Sequence, residues 1–121
     1  MWRRDWSNKF GASITTVDGK TYRSKVEADY AAHLSLLKQA GEIRNYEHEP
    51  CFRLTVNGIL IGKIYPDFLV TTKHGQEEIH EVKGSARVGI GSTTQHWHWK
   101  WKHLQAQHPE YKYKVITRKD F

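Results

Sequence analysis

The chain has 121 residues, a formal net charge of +6, and 38% hydrophobic, 12% aromatic and 26% charged residues. That length is expected to hold a single core and no second domain, and the composition excludes an intrinsically disordered chain. No apolar run reaches the length of a membrane span, Met1-Trp2-Arg3-Arg4-Asp5-Trp6 lacks the apolar centre of a signal peptide, and the single Cys51 can form no intrachain disulfide. The expected compartment is therefore the cytoplasm.

Residues 1–20 show no sustained period and contain Asp18-Gly19, so a short hairpin and a loose arm both fit. Trp2 and Trp6 would dock on the domain, or lie with Arg3 and Arg4 along a nucleic-acid groove. From Ser24 to about Ala40 the spacing of Val26, Tyr30, Leu34 and Leu37 is helical, with Gly41 as the stop. Ser24 and Glu27 match a capping box, which leaves Glu27 two roles, helix cap or acid at a site.

Strands follow over 43–49, 52–56 and 59–65, the last two joined by the hairpin turn Asn57-Gly58. Alternation puts Glu47 and Glu49 on one face, which the sequence favours as solvated rather than pocket-lining. Cys51, between Pro50 and Phe52, is expected to be a buried or edge packing residue and not a nucleophile. Tyr65–Val70 then reads as a turn entering an apolar strand, the polar turn Lys73-His74-Gly75-Gln76 reverses the chain, and Ile79–Gly84 forms its neighbour. Residues 85–93, with Gly89 and Gly91, predict a loop from which Arg87 would reach a phosphate.

A second helix is expected from Thr93 or Thr94 to His108, with Trp97, Trp101 and Leu104 toward the core and His96, Lys100, His103 and Gln107 on another face. No two of His96, His98, His103 and His108 stand three or four apart, which argues against a helical zinc site and favours phosphate contacts beside Lys100 and Lys102. Tyr111–Thr117 alternates as a closing strand. The expected fold is α/β (α+β): a central mixed sheet flanked by helices, in the order α-β-β-β-β-α-β, with the Glu81-Lys83 strand parallel to the last one.

Charge is unevenly spread. Arg3, Arg4, Lys9, Lys20, Arg23 and Lys25 crowd one end and Lys100, Lys102, Lys112, Lys114, Arg118 and Lys119 the other, while acids gather between Glu42 and Glu81. Basic surface around an acidic pocket suits a polyanion held beside a metal. Within that pocket Glu81 and Lys83 share one strand face, His80 and Val82 the other, and Asp67 at the start of the preceding strand would bring a second carboxylate to the same end. Two carboxylates suit a hard divalent cation, and a lysine beside them would orient water or steady a phosphoryl oxygen.

Pro66-Asp67, thirteen intervening residues and Glu81-Val82-Lys83, preceded by the helical Glu27, resemble the signature of the PD-(D/E)xK nucleases. Over roughly residues 20–117 the chain is similar to a small phage-encoded group related to phage junction-resolving endonucleases and transposon-end nucleases. The resemblance implies a restriction-endonuclease-like core over residues 21–121. It also implies Mg2+, or Mn2+, bound by Asp67, Glu81 and the Val82 carbonyl, with Glu27 as a further acid and Lys83 acting on the attacking water. The implied activity is DNA endonuclease cleavage of branched or double-stranded DNA in phage recombination or replication, in the host cytoplasm, with a homodimer needed for symmetric cuts. Arg23, Lys25, Arg87, Lys100, Lys102 and His96 are the nominated nucleic-acid contacts. Rival readings are a non-catalytic nucleic-acid-binding module, a nicking or restriction-like nuclease that needs a partner, and a basic protein that binds an acidic protein surface.

Overall fold

Ser24 sets the first helix. In the computed structural model, which describes residues 15–17, 20–22, 24–84 and 92–121, Ser24 is extended and its Oγ accepts the Glu27 N–H at 3.2 Å, satisfying one of the amides that a helix start leaves without a partner. Helix α1 (Lys25–Gln39) follows, burying Val26, Ala28, Tyr30, Ala31 and Leu34 along one side. It ends where Gly41 takes φ +80° and the Glu42 amide reaches back to the Leu37 carbonyl at 2.9 Å. Before it, β1 (Thr15–Val17) pairs antiparallel with β2 (Lys20–Tyr22).

Between the helices run β3 (Ile43–His48), β4 (Phe52–Val56), β5 (Ile59–Ile64), β6 (Phe68–Thr72) and β7 (Glu77–Val82); α2 (Ser92–Gln107), β8 (Lys112–Ile116) and a short 3-10 turn (Arg118–Asp120) complete the chain. The central sheet has the order β3-β6-β7-β8. Its first two pairings are antiparallel and β7–β8 is parallel, so the sheet is mixed, as expected, with α2 in the crossover that parallel neighbours need.

Alternation divides β7 between two layers. Glu78, His80 and Val82 face α1, where Tyr22, Tyr30, Leu34, Phe68, Val70 and Ile116 form one core. Ile79 and Glu81 face the α2 side, where Ile79 joins Leu54, Ile64, Trp101 and Leu104 in a second core.

Four details depart from the sequence-based expectation. Five strands, not four, lie between the helices, because β4 and β5 form a separate two-stranded sheet. Their inner residues Leu54 and Ile64 pack on α2, and α2 also serves the backbone of β4: Gln107 accepts the Thr55 N–H at 2.9 Å and donates to the Arg53 carbonyl at 2.7 Å. Strand β6 begins at Phe68 rather than Asp67, since the Asp67 amide is used by Glu81 and Pro66 before it has no N–H to give a ladder. Glu49 does not extend the face of Glu47; β3 stops at His48 and Glu49 turns to φ +53°. Cys51 is exposed, not buried, beyond the last residue of that turn. Among the described residues no helix is long and apolar enough to cross a membrane.

Beneath α1 a chain of polar groups, buried at Tyr30, His80 and Glu78 and reaching solvent at Lys114, crosses the sheet. Tyr30 Oη and His80 Nδ1 are 2.7 Å apart, His80 Nε2 and Glu78 Oε1 2.9 Å, and Lys114 Nζ lies 3.2 Å from the same Glu78 oxygen. Burial pushes the Glu78 carboxyl up, but hydrogen bonds from His80 and Lys114 outweigh it and hold the group below its usual range, as a carboxylate. A carboxylate only accepts, so His80 Nε2–H donates to it. Burial also holds the His80 imidazole below its ordinary range, so the ring is neutral and Nδ1 accepts from the Tyr30 hydroxyl, itself pushed up by burial. A cavity of about 470 Å³, lined by Tyr30, His80, Lys114, Val115, Ile116 and Asp120, adjoins the ring.

The sign of the pH dependence follows. Unfolded, His80 takes up its proton near the ordinary value of 6.5, whereas folded it resists, so its contribution to stability is complete above pH 6.5 and is lost as pH falls below it. Glu78, also depressed, adds a loss in the same direction below its ordinary 4.5. The urea midpoint, followed by tryptophan fluorescence, should fall as pH drops from 6.5 toward the carboxylate range, and His80→Gln should flatten that first part of the decline.

Candidate active site

The local sequence around Asp67 makes a site because two strand ends exchange hydrogen bonds through side chains. The Asp67 amide donates to Glu81 Oε1 at 3.2 Å, and the Val82 amide donates to Asp67 Oδ2 at 2.7 Å. Each carboxylate therefore has one oxygen oriented by the backbone of the other's strand. Both side chains are buried, with Asp67 6% and Glu81 9% exposed.

Lys83 completes the group. Its Nζ lies 3.6 Å from Glu81 Oε2 and 4.0 Å from the centroid of the Trp97 ring on α2, so both an anion and a π face hold the ammonium in place. The structure thus brings together three of the residues that the sequence nominated, Asp67, Glu81 and Lys83. Val82, nominated for its carbonyl, contributes its amide to the same arrangement. Two carboxylates with fixed oxygens are donors that fit Mg2+ or Mn2+, both of which take oxygen ligands.

Glu27 sits differently. Its backbone amide is capped by Ser24 while its carboxylate Oε2 lies 2.9 Å from His48 Nε2, so the residue serves the helix start and a side-chain contact at once. Among the described residues, Glu27, His48 and Glu49 are the one set of three metal-binding side chains whose donor atoms all lie within 4.8 Å of one another; Asp67 and Glu81 are not part of it. A backbone hydrogen bond from Glu49 N–H to the Asp67 carbonyl, 2.9 Å, joins the two groups.

Sequence reasoning missed His48 and favoured a solvated place for Glu49 over a pocket-lining one. The density of donors in Glu47-His48-Glu49 was visible, but a strand alternation pairs Glu47 with Glu49 and sets His48 aside. Only the turn at Glu49 and the first turn of α1 passing over β3 bring those two together with Glu27.

The nominated nucleic-acid contacts scatter. Lys25 opens α1 on the surface, 3.4 Å from Asp29, and Lys102 and His96 are exposed on α2. Lys100 is half-buried, its Nζ 5.9 Å from the centroid of the Trp99 ring. Arg23 and Arg87 lie outside the described residues. The face of α2 expected to carry His103 and Gln107 toward phosphates instead docks on β4, with His103 Nε2 at 3.0 Å from the Thr55 carbonyl, and His108 pairs with Glu110 at 2.8 Å. That face is occupied because β4 presents backbone groups that need partners.

Removing the Asp67 carboxylate should strand the Val82 amide. Asp67→Ala is expected to cost about 1–3 kcal/mol of stability and to raise hydrogen exchange at Val82, whereas Asp67→Asn, which keeps an acceptor oxygen, should do neither. Equal destabilisation by both variants, measured by urea unfolding, would contradict this account of the contact.

Compared with known proteins, the chain matches no curated protein and no solved structure. One family model matches it, over residues 7–120, and its description reads protein of unknown function (DUF1064). With nearly its whole length covered by that match, the chain belongs to the DUF1064 family.

Proposed function

We propose that this protein is a metal-dependent DNA endonuclease that hydrolyses phosphodiester bonds, with Mg2+ or Mn2+ as cofactor. The observation that supports it most is the reciprocal bonding of Asp67 and Glu81 across two strand ends, with the Lys83 ammonium 3.6 Å from Glu81. A packing role alone would not explain two buried acids and a lysine at one point. Their likeness to the PD-(D/E)xK signature names the chemistry that would use them.

In this reading Asp67 and Glu81 bind the cation through carboxylate oxygens held by amides, so little reorganisation accompanies binding. A cation held there would supply Lewis acidity toward the scissile phosphate and toward the attacking water. Lys83, fixed between Glu81 and Trp97, positions the attacking water by donating hydrogen bonds. Attack at phosphorus with departure of the 3′ oxygen leaves a 5′ phosphate and a 3′ hydroxyl, as in that nuclease family. Lys25, two residues before Glu27, and the exposed Lys102 supply basic surface to hold the backbone. Branched DNA, such as a four-way junction, is the substrate that the family resemblance favours, cut symmetrically by a homodimer.

The test is cleavage of matched four-way junction, flap, duplex and single-stranded DNA with Mg2+, Mn2+ or chelator. Cutting should require the cation and fall about 100-fold or more in Glu81→Gln, while salt-sensitive DNA binding persists. DNA shifted but never cut by the wild-type protein would replace the nuclease with a binding module.

A further inference from the structure

A second donor set lies beside the proposed nuclease site, and it differs from that site in kind. Glu27, on the first turn of α1, is 4% exposed. The His48 side chain, at the end of β3, packs its ring 4.4 Å from that of Tyr22 and 5.3 Å from that of Phe68. Those contacts fix the imidazole plane and hold Nε2 at 2.9 Å from Glu27 Oε2. Glu49 then turns at φ +53° and brings its carboxylate to within 4.8 Å of both.

Two ligands about 2.1 Å from one ion and at right angles to each other stand about 3.0 Å apart, and opposite ligands stand about 4.2 Å apart. The separation of His48 and Glu27 therefore equals one edge of a coordination shell, and the third donor, within 4.8 Å of both, reaches the same shell with a side-chain adjustment of about 0.6 Å or less. A hydrogen-bonded His–Glu pair would need only two of these residues. The register keeps this set apart from Lys83: His48 pairs with Phe68, and Phe68 with His80, along the α1 face, whereas Glu81 belongs to the opposite alternation.

We infer that Glu27, His48 and Glu49 form a site for a divalent first-row transition ion, Mn2+ or Zn2+ in preference to Mg2+. The imidazole decides the preference, because nitrogen ligands suit these ions and Mg2+ demands oxygen and retains its waters. Of its donors only Glu27 is also an acid that the nuclease resemblance implies; His48 and Glu49 are not, so the site stands without the nuclease reading.

The experiment uses the full chain carrying Asp67→Asn and Glu81→Gln, which removes the other carboxylates, and titrates it with MnCl2 by electron paramagnetic resonance. One Mn2+ should bind, show coupling to an imidazole nitrogen by pulsed measurement, be displaced by equimolar ZnCl2 and resist a hundredfold excess of MgCl2. Adding His48→Gln should abolish that nitrogen coupling and weaken Mn2+ binding at least about tenfold. Glu49→Gln, at a half-buried position, should also weaken binding, and its thermal unfolding curve, recorded beside that of the parent, separates lost ligation from lost fold. Nitrogen coupling that survives His48→Gln, or absence of bound Mn2+ in the Asp67→Asn, Glu81→Gln protein, overturns the proposal. Either result leaves DNA cleavage by the wild-type chain to be judged on its own assay, and lack of cleavage leaves this site standing.

Discussion

Everything at the candidate site depends on one exchange of hydrogen bonds, Asp67 N–H to Glu81 and Val82 N–H to Asp67. Strand ends normally leave their last amides to solvent or to a turn. Here two acidic side chains take that role, and in doing so they lose their freedom to rotate. The arrangement satisfies buried donors that would otherwise be costly, and it holds two carboxyl groups in a defined geometry. Structure and chemistry are thus carried by the same atoms. A carboxylate oriented in advance binds a cation with little further loss of side-chain entropy.

The two layers of the molecule give that end of the sheet two different environments. On one side α1 covers an apolar core that contains the Tyr30, His80, Glu78 and Lys114 chain, where every contact has a defined donor and acceptor. On the other, α2 brings Trp97 over Lys83 and also braces β4 and β5. Because β7 alternates between these layers, neighbouring residues have unlike roles. His80 belongs to the buried polar chain, and Glu81, the next residue, belongs to the acid pair. A shift of one residue in the register of β7 would exchange them, so the core packing of Ile79 and the placement of the acids are enforced together.

Dual use of residues recurs at Glu27. Its amide completes a helix cap and its side chain meets His48, so the same position fixes where α1 starts and what faces β3. A helix start placed against a strand end is a common way to gather side chains that are remote in sequence. Here it spans from Glu27 to His48, over a helix and a turn, and ends beside Asp67 through the Glu49 amide.

The sequence by itself determined the local elements and the acid pair. Helical spacing from Val26 to Leu37, the Asn57-Gly58 turn, the alternation of β7 and the parallel placement of β8 all follow from short-range periodicity and from the length of the crossover. Asp67, Glu81 and Lys83 were legible because they lie on neighbouring strands separated by a single turn, so proximity follows from the hairpin. Tertiary structure alone decided the rest. That β4 and β5 leave the central sheet depends on α2, which fills the gap with Trp101 and Leu104 and satisfies the β4 backbone with Gln107. That Glu49 leaves the face of Glu47 depends on a single left-handed residue, which alternation cannot express. The meeting of Glu27 with His48 depends on how α1 lies over the sheet. Packing between layers sets that geometry, and no pattern within either segment encodes it.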